Sequence, residues 1–158
     1  MKILVLSDSH RTMQYMMDAI DIEHPDYVIH LGDHVGDADA LSQHYPLLPV
    51  LSVKGNCDFE PNGRELALAE YGGVRIMAAH GHRYGVKSGL LRYVLAAKEN
   101  QADVALFGHT HHAMCEKYEE IWLLNPGSCG YCSQPTYGLI EIHNHSVSCS
   151  IHKINDGR

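Results

Sequence analysis

Positive charge is scarce in this chain of 158 residues: 12 Lys and Arg stand against 19 Asp and Glu, a formal net charge of −7. That balance argues against stable nucleic-acid binding, and against attachment to anionic lipid by bulk charge. Charged residues of both signs together reach only 20%, a little under the usual share of about 25%. Long apolar runs are missing too. The stretch at residues 1–6 is too short for a signal-peptide core, and nothing approaches the roughly 18 to 20 residues of a membrane span. A cytoplasmic protein with no membrane partner is expected. Cysteine is odd in number, five in all and scattered, which fits reduced thiols better than a disulfide framework. Low-complexity segments, linkers and internal repeats are absent, so one domain over 1–158 is expected. What is present is an apolar fraction of 45%, enough for a real core. Histidine is in excess: 13 residues, more than Lys and Arg combined. Histidine is a common metal ligand and titrates nearest neutrality, so its placement matters.

Periodicity supplies the elements. Residues 2–6 read as a buried strand. Thr12 is placed to cap a helix whose apolar residues Met13, Met16, Met17 and Ile20 follow helical spacing, and Pro25 closes it. Strands are expected at 27–31 and 48–53, with a short helix at 37–44 between them. Residues 65–70 and 74–79 read as a hairpin around Tyr71, Gly72 and Gly73. A helix capped by Ser88 is expected over 88–100, then a buried strand at 104–107. Residues 114–118, 121–124, 137–142 and 147–152 read as antiparallel strands joined by tight turns. Strand–helix alternation first and strand runs later imply an α/β fold, a layered αββα sandwich of two mixed β-sheets flanked by helices.

The informative pattern stands at the carboxyl ends of the buried strands. There the chain reads Asp8-Ser9-His10, Gly32-Asp33-His34, Gly55-Asn56-Cys57-Asp58, His80-Gly81-His82 and Gly108-His109-Thr110-His111. Loops in that position are where α/β proteins bind ligands. Each fragment alone is ordinary: Asp-x-His is a frequent accident, and Gly-Asp and Gly-Asn are turn signals. Together, five strands each deliver a carboxylate, carboxamide or imidazole, one coherent set of metal ligands.

The order Asp-x-His, Gly-Asp, Gly-Asn-x-Asp, His, Gly-His-x-His resembles the signature of the calcineurin-like metallophosphoesterases. The Gly-Asn-Cys-Asp variant, His-Gly-His and Asn125-Pro126-Gly127-Ser128 are similar to its small YfcE-like phosphodiesterase branch. The resemblance runs from Lys2 to about Ile142, and the family's paired-sheet fold agrees with the layered reading. It implies one divalent ion on Asp8, His10, Asp33 and His111, and a second on Asp33, Asn56, His80 and His109, with Asp33 bridging. Such a set without thiolate suits Mn²⁺, Fe, Ni²⁺, Co²⁺ or Zn²⁺, and the resemblance favours Mn²⁺. The implied reaction is hydrolysis of a small phosphoester, most naturally a diester, by a metal-bridging hydroxide that attacks phosphorus in line. The family often forms homo-oligomers.

The resemblance also locates a departure. Many superfamily members carry histidine where this chain has Cys57, and a thiol is a weaker proton donor to a leaving group. Asp33, Asn56, Cys57, Asp58 and His82 are the candidates for the reaction itself. Within that group Asp58 is expected to orient Asn56 or the loop. His34 and His82 are possible substitute donors, and Arg11 is either a phosphate contact or solvated. Asn125-Pro126-Gly127-Ser128 is expected to pack behind the site, with Ser128 a possible supporting donor. His112 adjoins the ligands, whereas His24, His30, His44, His143, His145 and His152 have no assigned chemistry. Two rivals remain. Cys129-Gly130-Tyr131-Cys132 has the spacing of a redox pair, although it follows a turn among late strands. A second rival is a protein-binding scaffold on the same fold, as in a small retromer-coat relative with degraded metal motifs; here every ligand position holds a competent residue.

Overall fold

The computed structural model describes residues 1–130 and 132–154. Tyr131 and the last four positions of the expected domain lie outside the described residues. In chain order the elements are β1 (Lys2–Leu6), α1 (Met13–Glu23), β2 (Tyr27–His30), α2 (Val35–His44), β3 (Val50–Ser52), β4 (Leu66–Tyr71) and β5 (Val74–Ala79). A single 3-10 turn (His82–Tyr84) leads to α3 (Leu91–Glu99), β6 (Val104–Leu106), β7 (Met114–Tyr118), β8 (Ile121–Asn125), β9 (Thr136–His143) and β10 (Ser146–Lys153).

Two five-stranded sheets form, ordered β10-β9-β1-β2-β3 and β4-β5-β6-β8-β7. Both are mixed. β1, β2 and β3 are mutually parallel, as are β5, β6 and β8, and the flanking strands run antiparallel. Ile3, Val5 and Ile29 of one sheet meet Ile76, Val104 and Leu106 of the other in the central core. Leu4, Leu6 and Val28 point the opposite way, onto Met16, Ala19 and Ile20 of α1 and Leu41 of α2. Met77 and Ala105 face Tyr93, Val94 and Ala97 of α3. Each central strand is apolar on both faces because each face is covered, which gives the continuous apolar runs of the sequence. The layers are αββα, as expected.

Local corrections concern element starts. α3 begins at Leu91, and Ser88 does not cap it. Gly89 has φ 146, outside helical space, and the helix cannot extend back through it. Thr12 occupies the N-cap position of α1, but its side chain makes no capping bond. α2 starts two residues early, at Val35. β8 is antiparallel to β7 but parallel to β6, because β7 lies at the sheet edge and the chain returns between them.

Candidate metal centre

The carboxyl ends of β1, β2, β3, β5 and β6 meet along one edge of the sandwich, where backbone bonds tie the loops to one another. Asp8 N–H donates to the Gly32 carbonyl at 3.0 Å, Gly108 N–H to the His80 carbonyl at 3.0 Å, and Cys129 N–H to the Ser7 carbonyl at 3.1 Å. The loops approach closely only where side chains are missing. A Cβ on Gly55 would lie 2.2 Å from Asp33 Oδ1, and one on Gly108 would lie 2.1 Å from Ser7 Oγ.

Asp8, His10, Asp33 and His111 form one cluster, with a ligand atom from each within 4.8 Å of the others. Asp8 is fully buried. Its Oδ2 accepts from Ser7 Oγ at 2.6 Å and from His109 N–H at 3.2 Å. Its Oδ1 has no hydrogen-bond partner among the described residues, although His111 Nε2 lies 3.0 Å away. A buried carboxylate oxygen without a donor is strongly disfavoured unless a cation satisfies it. That orphaned oxygen, among imidazole nitrogens and a second carboxylate, fits a divalent ion.

The second set lies alongside. His80 is fully buried, and its Nδ1–H donates to the Leu31 carbonyl at 2.8 Å. That bond leaves the Nε2 lone pair free, the usual way a ligand imidazole is oriented. Nε2 is 3.1 Å from Asn56 Oδ1 and 3.5 Å from Asp33 Oδ2. The His109 ring stands 5.0 Å from that of His80. Asp33 belongs to both groups, and its Oδ1 accepts from Cys57 N–H at 3.0 Å. Burial opposes its charge, but His80 and the Cys57 N–H outweigh burial and hold its carboxyl well below the usual carboxylate range. Burial likewise opposes a charged His80, yet Asp33 and Asp8 raise it above its ordinary value. All seven residues expected as ligands are therefore brought together at this edge.

Backbone strain marks the same place. Asp8 (φ 54), His10 (φ 47), Asp33 (φ 55), His109 (φ 65) and His111 (φ 59) are all left-handed. Such conformations are uncommon outside glycine and cluster at functional sites.

The remaining candidates separate by role. Asp58 is buried, and its oxygens accept from the N–H groups of His34 and Val35 at 2.8 Å and of Gly55 at 2.7 Å. It clamps the Asp33 and Asn56 loops together. Cys57 is exposed, with Sγ 3.5 Å from Asn56 Nδ2. Partial desolvation of the sulfur and the nearby Asp33 push its thiol up, so it stays protonated at neutrality. His82 stands 5.5 Å from His80 and 6.1 Å from His109, ring to ring. Its Nδ1 is buried without a partner among the described residues, and burial together with His80 lowers its pKa. His34 stacks edge-on at 5.3 Å from His10. Arg11 is exposed, and its backbone N–H donates to Asp37 Oδ2.

Asn125, at the end of β8, donates to the Gly108 carbonyl and Thr110 Oγ1 at 3.0 and 2.9 Å, and Ser128 Oγ donates to the Asp8 carbonyl at 2.9 Å. This turn does pack behind the site. Sequence reasoning missed Ser7, His30 and Asp37. The polar Ser7 abutting an apolar strand was the available signal for the first. The redox reading finds no support: Cys129 is buried, donates to the Ser7 carbonyl, and burial pushes its thiol up to about 12. A redox thiol requires the opposite shift. Tyr131 of that motif lies outside the described residues.

A family model described as the calcineurin-like phosphoesterase superfamily domain matches residues 1–145. The chain belongs to that superfamily. A probable metallophosphoesterase of Bacillus subtilis, YsnB, is 37% identical over 128 residues, covering 81% of this chain and 75% of the relative. Escherichia coli YfcE, a phosphodiesterase, is 29% identical over 168 residues, covering 89% and 88%. Among solved structures, a predicted phosphoesterase of Streptococcus pneumoniae superposes with a TM-score of 0.82 at 27% identity, over 99% of this chain and 93% of that one. Superfamily members use divalent metals, and the Asp and His cluster is the candidate site for them here. Among the described residues, no helix is long and apolar enough to cross a membrane.

Proposed function

We propose that the protein is a dinuclear metal-dependent phosphoesterase that hydrolyses small phosphodiesters, with Mn²⁺ the favoured ion. The observation that carries this reading is Asp33. It belongs to the four-residue cluster with Asp8, His10 and His111, and it also lies 3.5 Å from the His80 nitrogen that faces Asn56. Asp8, His10 and His111 would hold one ion, Asn56, His80 and His109 the other, and Asp33 both. Bound there, a pair of divalent ions supplies an activated water near neutral pH and positive charge for the phosphoryl oxygens. Their four positive charges also counter the −7 of the chain at the one place where an anionic substrate must enter.

The protein's own groups do the rest. Ser7, the His109 N–H and the Cys57 N–H hold one oxygen each of Asp8 and Asp33, leaving the others to face the site. The Leu31 carbonyl orients His80. His10, Asn56, Cys57 and His111 are exposed, so substrate approaches from their side. His82, whose ring stands 5.5 Å from that of His80 and 6.1 Å from that of His109, is the candidate to protonate a leaving oxygen. Cys57 is a poor donor, and reliance on His82 favours esters with good leaving groups. The diester preference rests on the similarity to YfcE and on Cys57.

The test is a Mn²⁺-supplemented screen of cyclic nucleotides, phosphodiesters including bis-nitrophenyl phosphate, and monoesters, with Asp33→Ala as the blank. Diester hydrolysis lost in Asp33→Ala is the expected result. Bound metal with no hydrolysis of any phosphoester would overturn this reading and favour the protein-binding scaffold instead.

A further inference from the structure

His30 is the buried titratable residue for which the proposed chemistry has no use. It lies on β2, fully buried, three residues before Asp33. Its Nδ1 accepts the Gly32 N–H at 3.2 Å, and its Nε2 lies 3.1 Å from Ser9 Oγ. Because a backbone N–H can only donate, Nδ1 is unprotonated, and the ring is the neutral tautomer with its proton on Nε2. That proton is donated to Ser9 Oγ. Ser9 in turn donates to Asp37 Oδ2 at 2.6 Å, and the same oxygen accepts the Arg11 N–H at 2.8 Å.

The chain of bonds has one direction and no spare donor. It starts at the residue before Asp33, crosses beneath the site through His30, and reaches Ser9, which stands between Asp8 and His10. It ends on Asp37 of α2, which also fixes the backbone just after His10. Three of the four residues in the Asp8, His10, Asp33 and His111 cluster are thus set relative to one another by a single string of bonds, buried at His30 and reaching the surface at Arg11. Asp8, His10 and Asp33 all sit in left-handed backbone, with φ of 54, 47 and 55. Strained residues of this kind persist only when their surroundings hold them.

We infer that His30, through Ser9 and Asp37, is a positioning residue that holds Asp8, His10 and Asp33 in register to bind one divalent ion. The inference rests on the reading of this cluster as a metal site. It concerns ion affinity rather than hydrolysis, and metal binding tests it without substrate.

The experiment titrates Mn²⁺ alone into the full-length protein, following the free ion by electron paramagnetic resonance, with far-UV circular dichroism to confirm folding. Ser9→Ala interrupts the string at its middle, and His30→Leu removes the ring's bonds while keeping an apolar side chain. Each is expected to weaken one of two bound ions by roughly 10- to 100-fold, the range for losing a supporting hydrogen bond at a metal site. His30→Gln keeps a donor towards Ser9 and should recover part of that loss. If His30→Leu does not fold, Ser9→Ala decides, since it empties no comparable space. A folded Ser9→Ala protein that binds both ions within twofold of wild type would overturn the inference. A wild-type protein that binds no Mn²⁺ would overturn both the metal reading and this one.

Discussion

The two halves of the candidate site use the same ligand chemistry in opposite surroundings. His80, His82 and His109 form one trio, anchored by a fully buried ring whose tautomer is set by the Leu31 carbonyl. His10, His34 and His111 form the other, with His10 and His111 exposed and held mainly by backbone geometry. A buried ligand is preorganised by its own packing. An exposed one depends on the loop that carries it, which is why the His30 string lies under that half. In the two-ion site proposed above, the buried half would retain its ion and the open half would exchange ligands with substrate and solvent.

The largest expected effect abolishes the distinction. Asp33→Ala removes the ligand proposed as common to both halves and should release both ions and lower hydrolysis by about 10²- to 10³-fold or more, the scale of deleting a central electrostatic group. One tightly retained ion, measured by metal analysis after desalting, would show that Asp33 is not shared.

Next comes a dependence on pH in the chelated protein. Burial lowers His30 to about 4 from an ordinary 6.5. The folded state disfavours the charged ring. Stability from this group is therefore complete above about 6.5 and is lost as pH falls towards 4, about 3 kcal/mol in all. His80, held above its ordinary value, works in the other direction. The difference between wild-type and His30→Gln urea midpoints from pH 7 to pH 4 isolates the contribution of His30. Parallel profiles would contradict it.

A third comparison sets the halves directly against each other. His80→Ala and His111→Ala should both weaken Mn²⁺ binding. Only His80→Ala should also reduce folding stability, by about 2 kcal/mol, because it leaves a buried void and an unpaired Leu31 carbonyl. His111 is 46% exposed, and its removal should change stability by less than about 0.5 kcal/mol. Equal losses in thermal unfolding would erase the contrast. The smallest expected effect is Cys57→Ala. The substitution keeps the backbone N–H that donates to Asp33 at 3.0 Å, so metal content should be unchanged while turnover shifts a few-fold. Loss of both ions would mean that the side chain has a structural part in the site.

How much of this could be read in advance follows from the range of each interaction. The central strands and their covering helices were legible because apolar periodicity is local. The ligands were legible because each follows a strand at a glycine-marked turn, and only their combination gave them weight. Ser88 misled because a good capping residue says nothing about Gly89 behind it. His30 looked structural because a buried ring in an apolar strand carries no local sign of Ser9, 21 residues away, or of the bond from Ser9 to Asp37, which spans 28 residues.

The scarcity of positive charge and the excess of histidine were sequence facts, and the ordered motifs turned them into a metal-site expectation and a family. Tertiary structure decided which histidines share an environment and which carboxylate oxygen is left without a donor. It also decided that Asp58 clamps two loops and that His30 supports a third. Ligand identity is written along the chain at single positions. The relative placement of ligands depends on contacts between the two sheets, and those exist only once the sandwich has closed.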